Sequence, residues 1–219
     1  NGLAPIYAID RHRLSTDGKG VTTLVAFHKC SLKCKYCINP QTWDMNHITM
    51  KLNPQELYEE VRKDNLYFLA TAGGVTFGGG EPVLHSDFIV KFKKTCNPKW
   101  KLTIETSLCV KQSHIKKLLP IIDYWIIDIK DMDNKRYKRY TGRNNSLMKR
   151  NLEYLLNQGK AEQMLIRVPY IGGYNTEVHV DENIKLLKEL GVVNIERFTY
   201  EIPSRRFSKL EEVLLGSLE

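Results

Sequence analysis

The sequence lacks any apolar run of the roughly 20 residues that a membrane-spanning helix requires. Its longest candidate, 121–129, is interrupted by Asp123 and Asp128. It also shows no secretory signal, internal repeat, low-complexity tract or Pro/Ser-rich linker. These absences predict a soluble, cytoplasmic protein with no membrane partner. Because the sequence begins at Asn1 rather than Met, the question whether a leader was removed stays open.

Cysteine is scarce and odd in number, with five in 219 residues. Cys30, Cys34 and Cys37 lie within eight residues of one another, whereas Cys96 and Cys109 stand alone. Clustered thiols without a secretory signal are more typical of metal ligands in a reducing compartment than of disulfides. We therefore predict that the three clustered cysteines bind metal and that the other two are ordinary thiols.

Acidic residues are outnumbered, 25 against 33 Lys and Arg, and the net charge is +8. Basic residues are densest in 130–150. A basic surface attracts nucleic acids and acidic proteins. No nucleic-acid-binding motif and no basic stripe interleaved with aromatic residues is present, so we expect a solvated basic face and no nucleic-acid partner.

Short runs rich in β-branched and aromatic residues alternate with amphipathic stretches. The predicted strands are 21–28, 74–77, 101–106, 124–129, 164–168 and 193–200. The clearest helix starts after Asn53, with Pro54 in its first turn and Glu56 completing a capping box. The other predicted helices are 88–95, 113–119, 146–158, 182–190 and 209–215.

Repeated strand-then-helix units predict an α/β fold whose parallel sheet has right-handed crossovers. A complete eight-fold barrel takes about 250 residues, more than this chain has. We therefore predict a partial (β/α)6 TIM-like barrel in one domain spanning 1–219. It divides into an N-terminal segment (1–20), the barrel (21–200) and a C-terminal tail (201–219). The active site is expected at the C-terminal ends of the strands.

The clustered cysteines have the spacing C-x3-C-x2-C and directly follow the first predicted strand. Iron–sulfur clusters usually take four cysteine thiolates, so three close cysteines leave one iron free to bind a ligand. Structural zinc also needs a fourth ligand, which Cys96, Cys109 or a histidine would have to supply. The spacing favours a cluster, with zinc and chance clustering as alternatives.

Two motifs together resemble the radical S-adenosylmethionine (SAM) superfamily. One is the cysteine loop with Tyr36 directly before its third cysteine, and the other is Phe-Gly-Gly-Gly-Glu-Pro at 77–82. The resemblance implies a [4Fe–4S] cluster on the three clustered cysteines, with SAM bound to the open iron and Tyr36 among the cofactor-binding residues. We expect Gly79 and Gly80 to let the backbone approach the methionine moiety, and Glu81 to accept hydrogen bonds from its ammonium group.

Within that superfamily the chain is most similar to the glycyl-radical-enzyme activating enzymes, the group of pyruvate formate-lyase activating enzyme. Asp-Gly-Lys-Gly at 17–20 resembles the Asp-Gly-Pro-Gly of that group. One further match follows the cysteines at 39–43, and others lie at the ends of predicted strands, at 104–107, 127–130 and 166–175. Lys19 replaces the family's usual proline, and Ile38 and Glu201 replace usual histidines.

This resemblance also implies roles for polar residues at the strand ends. Glu105, Thr106 and Asp128 match positions that line the SAM site and a site for a monovalent cation. Lys130 and Arg167 match basic positions that contact SAM. For Asp128 and Arg167 the structural alternative is a salt bridge in the barrel mouth.

The implied reaction is reductive cleavage of SAM to methionine and a 5′-deoxyadenosyl radical under anaerobic conditions. The favoured substrate is a backbone glycine of a partner glycyl radical enzyme, with flavodoxin or ferredoxin as electron donor. The alternatives are a radical SAM enzyme that modifies a small molecule or peptide, and a non-catalytic zinc or iron–sulfur interaction module. The sequence leaves open the identities of substrate and donor, the oligomeric state and the role of the basic tail.

Overall fold

The computed structural model describes residues 2–14, 16–46, 48 and 50–200. The strands are β1 (Ala4–Leu14), β2 (Val21–Phe27), β3 (Met50–Leu52), β4 (Gly74–Gly79), β5 (Lys101–Thr106), β6 (Tyr124–Asp128), β7 (Met164–Tyr170) and β8 (Ile195–Thr199). The helices are α1 (Pro54–Val61), α2 (Asn65–Thr71), α3 (Ser86–Thr95), α4 (Gln112–Leu118), α5 (Asn134–Thr141), α6 (Ser146–Asn157) and α7 (Glu177–Glu189). The predicted helix 209–215, Glu201 and the basic tail lie outside the described residues.

All eight strands form one sheet in the order β3-β1-β2-β4-β5-β6-β7-β8. The six strands from β2 to β8 in this order are parallel, which confirms the predicted α/β arrangement. This parallel set is curved, because Leu24 of β2 and Glu196 of β8 line the same cavity. β1 and β3 were not predicted; they add antiparallel strands at the β2 edge.

Helix caps explain where the predicted helices begin. The Asn53 side chain accepts from the backbone of Glu56, and the Glu56 carboxylate accepts from Asn53 N at 2.7 Å, which confirms the predicted capping box. α7 begins at Glu177, earlier than predicted, because Thr176 caps it. α5 was not predicted; Asp133 caps its start, and Gly142 ends it with φ 77°.

The parallel strands alternate between two environments. Side chains on the outer face, such as Phe77, pack against the helices, with 5.6 Å between the ring centroids of Phe77 and Phe92. Side chains on the inner face are largely polar and include Thr76, Thr103 and Glu105. The core therefore lies between sheet and helices, and the barrel interior is left for polar side chains.

Residues 16–20 fold into the barrel interior beneath the strand ends. The hydroxyl of Thr76 donates to the carbonyl of Asp17. Gly18 lies so close to Thr103 that a Cβ there would be 2.9 Å from its hydroxyl oxygen. The N-terminal segment is thus part of the barrel assembly rather than a separate lead-in. No helix in the described part of the chain is long and apolar enough to cross a membrane.

Candidate cluster and cofactor site

A cavity of about 640 Å³ opens at the C-terminal ends of the parallel strands. The structure brings eleven of the twelve predicted site residues to its wall, although they come from widely separated parts of the chain. They are Cys30, Cys34, Cys37, Gly79, Gly80, Glu81, Glu105, Thr106, Asp128, Lys130 and Arg167. Tyr36 is absent from the wall; its ring instead packs edge-on against Tyr174, with ring centroids 5.4 Å apart.

The cysteine loop is anchored to the C-terminal end of α5. Lys33 N donates to Thr141 O at 3.0 Å, and Lys35 N donates to Tyr140 O at 3.1 Å. Burial raises the pKa of Cys30 to about 12 and that of Cys34 to about 11. Without metal these thiols are therefore protonated at neutral pH, and thiolate formation is coupled to metal binding.

The number of thiol donors bears on the choice between a cluster and a single zinc ion. Three cysteines of the described residues, Cys30, Cys34 and Cys37, line the cavity. Structural zinc takes four ligands, whereas three cysteines on a [4Fe–4S] cluster leave one iron open. Cys96 and Cys109 are buried and line no part of the cavity, so neither supplies a fourth ligand. The donor set fits a [4Fe–4S] cluster with one open iron.

The glycines at the end of β4 have a packing role in addition to the predicted approach to SAM. A Cβ on Gly79 would lie 2.8 Å from the Cβ of Ala26, and one on Gly80 would lie 2.3 Å from Lys29 O. Gly79 also has φ 90°, which side-chain-bearing residues rarely adopt. These glycines let the end of β4 pack against the end of β2 and the start of the cysteine loop.

Glu81 is 1% exposed and its carboxylate is saturated by protein donors. Oε1 accepts from Thr106 Oγ1 at 2.7 Å and Val83 N at 3.3 Å. Oε2 accepts from the backbone N of Ser107 at 3.0 Å and its hydroxyl at 2.7 Å. A carboxylate has about four acceptor positions, so the predicted contact with the SAM ammonium requires one of these donors to be displaced.

The opposite wall consists of paired charges. Arg167 Nη1 lies 3.1 Å from Glu105 Oε1, and Arg167 Nε lies 3.2 Å from Glu196. Lys130 Nζ lies 3.0 Å from Asp128 Oδ2. The predicted salt-bridge alternative for Asp128 and Arg167 is therefore present, and it occurs within the cavity wall itself.

Two carboxyl groups of this wall, those of Asp128 and Glu105, could bind a polar ligand. Oδ1 of Asp128 is buried and has no hydrogen-bond partner among the described residues. Burial, and next the negative charge of Asp17, raise the pKa of Glu105 to about 7, although Arg167 opposes the shift. A bound cation or hydrogen-bond donor would stabilise both carboxylates.

Sequence reasoning missed several wall residues. Arg13 Nε lies 2.5 Å from Asp17 Oδ2, and both residues line the cavity. Tyr200 lies with its ring 5.4 Å from Lys130 Nζ. Tyr200 follows a parallel strand, so the strand-end rule was sufficient to find it. Arg13 lies in the unpredicted strand β1, and no motif marked it.

Comparison with known proteins then defines the class. Residues 24–203 match the radical SAM superfamily, so the chain belongs to that superfamily and is a radical SAM enzyme. Its family cofactors are a [4Fe–4S] cluster and SAM, for which the cavity wall holds suitable side chains.

The curated relatives are activating enzymes, which confirms the predicted resemblance. The chain is 28% identical to the 4-hydroxyphenylacetate decarboxylase activating enzyme of Clostridium scatologenes, over 92% of this chain and 82% of that one. It is 35% identical to the pyruvate formate-lyase-activating enzyme of Clostridium pasteurianum, over 64% of this chain and 58% of that one.

Solved structures share the fold at lower identity. SuiB of Streptococcus suis, bound to precursor peptide SuiA, has a TM-score of 0.64 and 16% identity, and the match covers 89% of this chain and 46% of SuiB. QueE of Escherichia coli has a TM-score of 0.54 and 16% identity, covering 99% of this chain and 92% of QueE. At these identities the likeness supports the fold alone.

Proposed function

We propose that this radical SAM enzyme activates a partner glycyl radical enzyme by removing a hydrogen atom from one of its backbone glycines. The similarity to an activating enzyme over 92% of the chain carries the proposal. The cavity supports it, because its wall joins the cysteine loop to a row of charged side chains at the barrel mouth.

Each part of the cavity wall would have its own role. Cys30, Cys34 and Cys37 would hold the cluster, and one-electron reduction of the cluster with SAM bound supplies methionine and a 5′-deoxyadenosyl radical. Lys130 and Arg167 would bind the SAM carboxylate. Burial would lower the pKa of Lys130, but Asp128, together with Tyr200 and Cys34, outweighs it and raises the pKa, so the charge persists at neutral pH.

The remaining predicted residues would orient the ligand. Glu81 and Thr106 are hydrogen-bonded to each other and would fix the rim beside the methionine moiety. Asp128, through its free Oδ1, would accept from the ligand. Tyr36, which lies outside the cavity wall, would support the cysteine loop through its ring contact with Tyr174.

Three further features belong to this function: a cation site, an electron donor and a single-domain organisation. A monovalent cation would lie near Glu105, Thr106 and Asp128. A flavodoxin or ferredoxin would supply the electron in an anaerobic cytoplasm. Residues 1–219 would act as one domain, and the single sheet that joins the N-terminal segment to the barrel supports this.

The test is electron paramagnetic resonance on an anaerobic mixture of reduced enzyme, SAM and a candidate glycyl radical enzyme, with 5′-deoxyadenosine quantified in parallel. We expect a stable protein radical with the native partner, and none when the partner's target glycine is replaced by alanine. Deoxyadenosine with no protein radical, together with a modified peptide or small molecule, would instead assign the enzyme to the alternative substrate class.

A further inference from the structure

Two basic segments that are distant in sequence meet beside the cysteine loop. Residues 29–43 and 134–152 contain no Asp or Glu. The hydrogen bonds from Lys33 and Lys35 to the end of α5 place the two segments side by side. Their exposed basic side chains form what we call the basic collar: Lys29, Lys33, Lys35, Lys138, Arg139 and Arg143.

The collar is built around the cluster ligands. Lys29 directly precedes Cys30, and Lys33 and Lys35 flank Cys34. The three cysteines are half-buried while these three lysines are exposed, so the cysteine loop presents positive charge to solvent beside its ligands. Lys33 and Arg139 are each held over an aromatic ring, those of Trp43 and Tyr174, at 4.5 and 5.2 Å.

Lys29 has a backbone conformation that favours glycine. Its φ is 74°, and its backbone is fixed by hydrogen bonds from Lys29 N to Thr42 O and from Glu81 N to Lys29 O. A side chain at such a position strains the backbone, and retained strain is typical of functional positions. A lysine here adds one exposed positive charge next to the first cluster ligand.

We propose that the basic collar is the docking face for an acidic one-electron donor protein. The inference rests on the proposed radical SAM function, because the cluster must be reduced before SAM is cleaved. The donor loses one electron and the cluster gains it. In turnover that electron reduces the sulfonium of SAM to the thioether of methionine as the S–C5′ bond breaks. Opposite charge steers such transient complexes, and the collar places the donor close to the cluster.

Binding is measured with the full chain carrying its reconstituted cluster, using oxidised bacterial flavodoxin as the probe. The double variant Lys35→Glu with Lys138→Glu reverses two collar charges. The matched control, Lys94→Glu with Lys188→Glu, changes net charge equally at exposed positions outside the collar. At low ionic strength we expect the collar variant to weaken Kd roughly tenfold or more and the control less than about threefold.

Lys29→Gly separates docking from folding. We expect this variant to raise the denaturant midpoint, because strain is relieved, and to weaken flavodoxin binding about threefold. Weakening by the collar and control pairs to the same extent would overturn the proposal, as would unchanged binding in both. Tight binding of transfer RNA without binding of flavodoxin would overturn it too. Because the probe stays oxidised and no SAM is turned over, failure of the glycyl-radical proposal leaves this result unaffected.

Discussion

At the scale of single residues, the cavity depends on contacts between side chains far apart in sequence. Arg167 contacts Glu105 of β5 and Glu196 of β8, and it donates to the carbonyl of Thr16. One guanidinium therefore joins the N-terminal segment, the middle of the sheet and its far edge. Such a residue holds the polar wall in position whether or not it also contacts SAM.

The three clustered cysteines are predicted to differ sharply from the two isolated ones. Replacing Cys30, Cys34 or Cys37 by alanine removes a ligand, so iron should fall from about four atoms per chain to near zero. Cys96→Ala and Cys109→Ala alter buried thiols outside the cavity and should retain full iron and sulfide. Iron and sulfide analysis after anaerobic reconstitution decides the matter. A full cluster in any of the first three variants would contradict the assignment.

Glu105 should make stability depend on pH in the cofactor-free protein. Its pKa is raised to about 7, so between pH 5 and 8 the folded state binds more protons than the unfolded state. Stability from this group is present at low pH and is lost as pH rises through 7. Relative to Glu105→Gln, the wild type should lose roughly 2 kcal/mol of unfolding free energy between pH 5 and pH 8. Denaturant titrations in buffer free of monovalent metal ions measure it, and a pH-independent difference would refute the prediction.

At the scale of elements, the junction of β2, β4 and the cysteine loop holds the cluster ligands in place. Gly80→Ala would push a methyl group against Lys29 O, which is 2.3 Å away. We expect a loss of about 2–4 kcal/mol in unfolding free energy and poorer cluster assembly, since Lys29 adjoins Cys30. Gly172→Ala is the matched control, because a Cβ there meets nothing within 4 Å. Equal stability of the two variants in denaturant unfolding would show that the turn tolerates a side chain.

The predicted elements have a clear apolar pattern. The elements that were not predicted lack it. The six parallel strands are apolar runs buried by helices, and their polar ends fall where the motifs place them. β1 carries Arg11, His12 and Arg13; Arg11 and His12 meet the distant Asp64 only after folding, and Arg13 pairs with Asp10 and Asp17. α5 has few apolar residues beyond Tyr137 and Tyr140. Local patterns cannot reveal elements whose charges are balanced by distant partners.

The same limit applies to the site. Motifs predicted which residues meet at the cavity, because each motif ends a parallel strand. They did not predict the internal hydrogen bonds of Glu81 or the close packing of the glycines, since these depend on Ser107, Lys29 and Ala26, which contact them only in three dimensions.

At the scale of the whole molecule, the described chain is one sheet with the cavity at the mouth of its parallel part. β1 connects the cavity to the periphery: it pairs with β2 and β3, and the loop after it enters the barrel. Arg11 and His12 both contact the fully buried carboxylate of Asp64, which also accepts from the hydroxyl of Thr23. Burial would raise the pKa of Asp64, but Arg11 and Thr23 outweigh it and the pKa lies below its usual value. The N-terminal segment is thus held by a buried charge as well as by strand pairing.

We therefore predict that a chain lacking residues 1–20 will not fold independently, even though it keeps every predicted site residue. Loss of residues 1–20 exposes the edge of β2. It also leaves the Asp64 carboxylate without its partner Arg11 and removes the Asp17 carbonyl that accepts from Thr76. Thermal unfolding followed by circular dichroism should show no cooperative transition. A chain beginning at Leu3 is the control, since it keeps all of β1. Within the full chain, Arg11→Met should lower the free energy of unfolding, because it removes the guanidinium partner of the same buried carboxylate. Cooperative unfolding of the truncated chain close to the wild-type midpoint would show that the parallel strands suffice without β1.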